Sequence, residues 1–186
     1  MNALEVIYQH RSIRKYKNEK IPDDILLNIL KAATRAATNG NMQLYSIIIT
    51  TDEEDKKALM PLHFNQEMVL DAPVLLTFCA DLNRFTKWCQ YRNANPGYDN
   101  LLFLLSAIAD TILSSQNAII AAESYGLGTC ILGTPLYTAR EHIEFFDLPK
   151  LVLPVIAVTI GYPDENPPLT DRLPLEAVIH QGKYQD

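Results

Sequence analysis

Residues 101–125 read LLFLLSAIADTILSSQNAIIAAESY, a long stretch with neither glycine nor proline. Leucine and isoleucine recur on more than one face of the helix this stretch predicts, and such a helix has to be buried on several sides. Ser106 and Asp110 interrupt the apolar run, so a core helix is expected and a membrane span is not. Leu101, Leu102, Leu104, Leu105, Ile108, Ile112, Leu113, Ile119 and Ile120 make more apolar surface than one side of a 186-residue domain would cover. A second subunit is therefore expected to cover the rest.

Outward from this helix, helical and extended patterns alternate. A short helix is predicted near Ala3–Gln9. Pro22 and Asp23 open a second one, in which Ile25, Leu26, Ile29, Leu30 and Ala33 recur at helical spacing and which ends before Asn39-Gly40. Short β-branched or apolar runs predict strands at Tyr45–Thr51, Val74–Ala80, Thr129–Leu132 and Leu153–Ile160. Asp52 is placed to cap the helix after the first strand, and Gly126 to end the long helix. Phe85–Asn100 (FTKWCQYRNANPGYDN), rich in aromatics and turn formers, reads as a loop and a candidate lid. The proline-bearing tail after Pro163, with a brief helical segment near Pro174–Ile179, suits a strap over a surface. No repeat, polar linker or low-complexity tract divides the chain, so residues 1–186 are expected to form one domain.

Composition narrows the function. The net charge of -6 has the wrong sign for a protein that engages nucleic acid with its whole surface. Met1–Gln9 lacks a basic segment leading into an apolar one, so no signal peptide is expected. Cys79, Cys89 and Cys130 form no C-x-x-C pair and suit reduced cytoplasmic thiols. His10, His63, His142 and His180 are scattered without metal-ligand spacing, so no metal site is expected.

Three segments carry candidate chemistry. His10-Arg11-Ser12-Ile13-Arg14 concentrates two guanidinium groups, an imidazole and a hydroxyl, the donors a phosphate monoester needs; a solvated basic turn would read the same way. Thr38-Asn39-Gly40-Asn41-Met42-Gln43 offers amides that can donate and accept along the edge of a pyrimidine-like ring, although Asn-Gly is also an ordinary turn signal. Gly126-Leu127-Gly128 through Gly133 imitates a dinucleotide fingerprint. Its third glycine is missing at Ile131, however, and the segment runs from helix to strand, the reverse of that motif.

In this order the segments resemble the nitroreductase family: His10–Tyr16 followed by Ile21-Pro22, then Thr38–Gln43, then Asn65 ahead of Leu70-Asp71-Ala72-Pro73, then Gly126–Gly133, then Gly161-Tyr162-Pro163 with Arg172 and Glu176. Met68 and Thr170 stand where that family often carries a cation. The resemblance implies an α+β fold, a mixed sheet flanked by helices, with the long central helix at a homodimer interface. It also implies bound FMN, with NAD(P)H as electron donor and a nitro compound, quinone or other small molecule as acceptor. His10, Arg11, Ser12 and Arg172 would surround the phosphate, Arg14 would reach the N1 and C2-carbonyl side of the ring, and Asn65 would read its pyrimidine edge. Backbone at Leu132-Gly133 would approach N5, and Thr38, Asn39 and Asn41 would come from the partner subunit. No protein nucleophile is required, because the flavin carries the hydride. The alternative is a flavin-binding module for storage or sensing with little turnover.

Overall fold

A computed structural model describes residues 2–97 and 99–186; Met1, and Tyr98 of the candidate lid, lie outside the described residues. The helices are α1 (Ala3–Gln9), α2 (Asp23–Ala33), α3 (Glu53–Leu59), α4 (Met68–Asp71), α5 (Asn83–Tyr91), α6 (Leu101–Ser124), α7 (Thr134–Tyr137) and α8 (Ala139–Phe145). The strands are β1 (Tyr45–Thr50), β2 (Val74–Asp81), β3 (Gly128–Leu132) and β4 (Val152–Gly161), in the order β1-β2-β4-β3. All three pairings between these strands are antiparallel; parallel pairing enters through an isolated bridge between Ser12 and Thr129.

Every residue of β2 is buried, because helices cover both faces of the sheet. Val74, Leu76 and Phe78 point to one face and pack with Ala118, Ile119 and Ala122 of α6 and Ile29 and Ala33 of α2. Leu75 and Ala157 point to the other, against Leu59, Met68 and Val69 of α3 and α4 and the Phe145-Phe146 pair. The register slips between Phe78 and Cys79, opposite Pro154 of β4, whose nitrogen has no hydrogen to give the ladder.

α6 is long and apolar enough to cross a membrane by length and composition, yet its inner face is built into the domain. Ser114 Oγ and Asn117 Nδ2 donate to the carbonyls of Ala33 and Ala32, satisfying the end of α2. The outer face keeps Leu102 69% exposed, Leu105 56%, Ile112 45% and Leu113 46%. α6 closes as predicted. Gly126, at φ 77°, donates to the Glu123 carbonyl and Leu127 donates to that of Ala122, the paired bonds of a left-handed helix cap.

The strands lie where the β-branched runs place them, within a residue or two at each end. Phe85–Asn100 corrects the loop expectation. Its first seven residues belong to α5, and the turn formers Asn93, Asn95, Pro96 and Gly97 follow that helix. Cys89 is buried on α5 while Phe85 and Trp88 stack with ring centres 5.5 Å apart, an amphipathic turn too short for its period to show. All three cysteines are free and buried, and burial pushes the Cys79 thiol up to about 12, so it packs as an inert apolar group.

Candidate functional site

The basic turn lies flat against the sheet. The Ile13 N–H donates to the Thr129 carbonyl at 2.8 Å, and Tyr16 Oη donates to the Ile13 carbonyl at 2.6 Å. Two paired glycines permit this approach: a Cβ on Gly128 would come within 2.7 Å of the Ile13 side chain, and one on Gly161 within 2.8 Å of Tyr16. Glu165 Oε1 accepts from the N–H groups of Arg14 (2.5 Å) and Lys15 (3.1 Å).

His10 Nδ1 lies 2.7 Å from Glu123 Oε1, which also accepts from Thr129 Oγ1 at 2.7 Å. Its pKa is raised, chiefly by the hydrogen bond to Glu123; partial burial and the nearby charge of Arg172 oppose the rise. Arg11 donates to Asn166 Oδ1, the Pro167 carbonyl and Gln9, all neutral acceptors. Arg172 donates to Thr170 Oγ1 at 2.7 Å and to the carbonyls of Thr170 and Asp171. Among the described residues, Arg11, Arg14 and Arg172 form no ion pair with a carboxylate, although Lys20, Lys57 and Arg140 do.

Arg14 and Lys15 line an open groove of about 580 Å³ together with Gln66, Met68 and the carboxylates of Glu67, Asp71, Asp164 and Glu165, so the basic turn and the segment after Asn65 share one wall. Met68 is buried in the core, where a cation would lose its hydration. Asn65 is exposed and left-handed, at φ 56°. Leu132 is buried, whereas Gly133 is exposed, and a Cβ there would meet nothing within 4 Å. Arg14 thus borders one groove with the segment after Asn65, Arg11 and the charge of Arg172 adjoin His10, Ser12 bridges to Thr129, and Ile13 packs with Leu132, which Gly133 follows.

Thr38, Asn39 and Asn41 lie elsewhere. The backbone N–H and Nδ2 of Asn39 both donate to Asp110 Oδ1 at 2.8 Å, and Leu44 N–H donates to Asp110 Oδ2 at 3.1 Å. Gly40, Asn41 and Gln43 all have positive φ, so the turn is tight. Arg84 braces it by donating to the carbonyls of Gln43 and Tyr45. Asp110 is fully buried on α6, and Glu123 lies on the same helix 123 − 110 = 13 residues further on. At about 1.5 Å per residue the two anchor points are roughly 20 Å apart. Asp110, Glu123 and Arg84 escaped sequence reasoning. Asp110 shows in the sequence only as a carboxylate inside an apolar run, and the other two look like surface charges.

The donor set fits a phosphate monoester: unpaired guanidinium groups beside a protonatable imidazole, and an exposed glycine with open space where a planar group could meet backbone. The nitroreductase family profile matches residues 7–162. An oxygen-insensitive NADPH nitroreductase of Salmonella typhimurium is 37% identical over 98% of this chain and 75% of its own length. The crystal structure of an oxidoreductase from Bacteroides fragilis superposes with a TM-score of 0.95 at 49% identity, covering 98% of this chain and 74% of that one. The solved structure of the NADPH:FMN oxidoreductase of Vibrio harveyi, complexed with NAD+, gives 0.94 at 32% identity, over 100% of this chain and 79% of that one. This chain belongs to the nitroreductase family.

Proposed function

We propose that the chain is an FMN-dependent oxidoreductase that moves electrons from NAD(P)H to a small acceptor such as a nitro compound or quinone, and that it works as a homodimer with a shared site. The observation that carries this reading is that Arg11, Arg14 and Arg172 form no ion pair among the described residues, with Arg11 next to His10 in the chain and the charge of Arg172 acting on it. A guanidinium group with no ion-pair partner can turn its forked donors to a phosphate. FMN, when bound, supplies the hydride chemistry, and the protein supplies position and field. Arg11, Ser12, Arg172 and His10 hold the phosphate. Arg14 offers a cation toward the N1 side of the ring, where reduction gathers negative charge, Asn65 reads the pyrimidine edge, and Gly133 lets backbone approach N5.

Thr38 and Asn41 serve the partner's flavin, on a turn that Asn39 braces by donating to Asp110 and the Ser106 carbonyl. Within one chain the roughly 20 Å between the amide turn and the basic turn along α6 keeps the two from meeting on one phosphate. The exposed leucines and isoleucines of the outer face of α6 are the surface a second copy would cover, and the exposed Leu173, Leu175 and Ile179 of the tail suit a strap over it. Phe85 and Trp88 border a groove of about 590 Å³ beside the amide turn, a place for a planar acceptor. The three free thiols support a reducing, cytoplasmic setting. Storage or sensing is not favoured, since the relatives bear the names of reductases.

An absorbance spectrum of the purified protein, with mass analysis of what denaturation releases, should show FMN, and NADH or NADPH should bleach it. Ile112→Glu, which desolvates a carboxylate in the interface, should lower dimer content and retained flavin together in sedimentation with absorbance detection. A folded monomer holding FMN tightly would refute the shared site.

A further inference from the structure

His63 and His142 form a buried pair to which the reading above gives no role. His63 ends a 3-10 turn, Met60–His63, and His142 lies in α8; both are fully buried, edge to face, with their Nε2 atoms 3.3 Å apart. His142 Nδ1 is 2.9 Å from the Thr138 carbonyl and 3.1 Å from Thr138 Oγ1, whose own hydrogen goes to the Leu62 carbonyl. A carbonyl only accepts, so this nitrogen carries the hydrogen and the Nε2 of a neutral ring must accept. His63 Nε2 is then the donor to it. That leaves His63 Nδ1 to accept from the Thr134 hydroxyl, 2.6 Å away. Burial keeps the pair neutral, pushing His63 down to about 4 and lowering His142 as well. The direction of every bond in the chain Thr134–His63–His142–Thr138 is thereby determined.

Both segments tethered by this chain belong to the proposed flavin face. Thr134 follows Gly133. His63 precedes Phe64 and Asn65, two consecutive non-glycine residues at φ 57° and 56°. Each left-handed residue of this kind costs about 1–3 kcal/mol and persists only where its surroundings hold it. The hold comes from His63 and its turn. The Asn65 N–H donates to the Met60 carbonyl at 3.0 Å, and the His63 carbonyl accepts from Gln66 N–H and Gln66 Nε2. Thr138 Oγ1 donates to the Leu62 carbonyl beside it at 2.9 Å, a second tie to the same turn.

We propose that His63 and His142 are positioning residues, whose hydrogen-bond chain sets the Asn65 turn against the Gly133 turn and so fixes the seat of the flavin ring. The proposal rests on the reading that FMN binds here. Titration of FMN into wild-type apoprotein, followed by nitrogen NMR of the histidine rings, should show the Nε2–H form of His63 and the Nδ1–H form of His142, with both sets of signals moving as the flavin binds. Signals unmoved at saturation would overturn the proposal. Thr134→Val, which swaps the hydroxyl for a methyl of similar shape, should weaken FMN binding at least tenfold and change the visible circular dichroism of the bound flavin, and Thr134→Ser should keep both near wild type. A Thr134→Val protein with unchanged affinity and dichroism would also overturn it. If wild-type protein takes up no FMN, the proposed function fails and the positioning role falls with it; if it takes up FMN and the histidine signals stand still, the positioning role alone fails.

Discussion

Asp110 and Glu123 sit on the same helix and each holds a loop, but by different means. Asp110 is fully buried and accepts from the amide groups of Asn39 and Leu44, none of which titrates near neutral pH. Glu123 is partly buried and shares one oxygen between the Thr129 hydroxyl and the His10 imidazole, a group whose charge does change. The middle of α6 thus grips one turn through amide donors, and its outer, C-terminal end holds a turn whose positive charge depends on pH. The inner grip suits a rigid edge offered to another subunit, and the outer end suits an anion.

Breaking the inner grip should have the largest effect. Asp110→Ala leaves the donors of Asn39 and Leu44 without their acceptor and should lower unfolding stability by about 3 kcal/mol. Chemical denaturation measures this, and a loss below about 1 kcal/mol would mean that the turn holds itself. At the outer end, Arg11→Ala should cost less for folding and more for function. It should weaken FMN binding by about 1.5–3 kcal/mol, the worth of a hydrogen bond to a charged group, and leave riboflavin binding nearly unchanged. Equal losses for the two flavins in parallel titrations would place Arg11 away from the phosphate.

The smallest effect concerns Glu123 itself. The folded pKa of His10 lies above its unfolded value, so the pair adds stability that is fully present below pH 6.5 and is lost as pH rises through the folded pKa. Glu123→Gln should therefore destabilise the apoprotein most at low pH, with the gap to wild type closing as pH rises. Proton NMR of His10 should show its pKa moving down. A stability gap that does not vary with pH would mean that Glu123 acts on Thr129 alone.

The basic turn stands out in the sequence because Arg11, Ser12 and Arg14 lie close together in it. β2 was legible because burial on both faces leaves a continuous apolar run, and α6 because apolar residues recur around it with no glycine or proline to break it. α5 was not, because a helix of nine residues, Asn83–Tyr91, shows too little of its period and lies next to a cluster of turn formers. Gly128 and Gly161 were not either. Each needs to be glycine because of residues far away in the chain that lie against it, Ile13 for Gly128 and Pro73 with Tyr16 for Gly161. The sequence by itself determined the local chemistry, namely the caps, the strand runs, the cation cluster and the amide turn, since each depends on residues close together along the chain. Tertiary structure alone decided which carboxylate grips which loop, that Asn39 turns inward to Asp110 while Arg11 keeps its charge unpaired, and that two histidines 142 − 63 = 79 residues apart share one hydrogen bond. Those outcomes depend on distances in space between groups remote in sequence, and only packing of the sheet between its helices sets them.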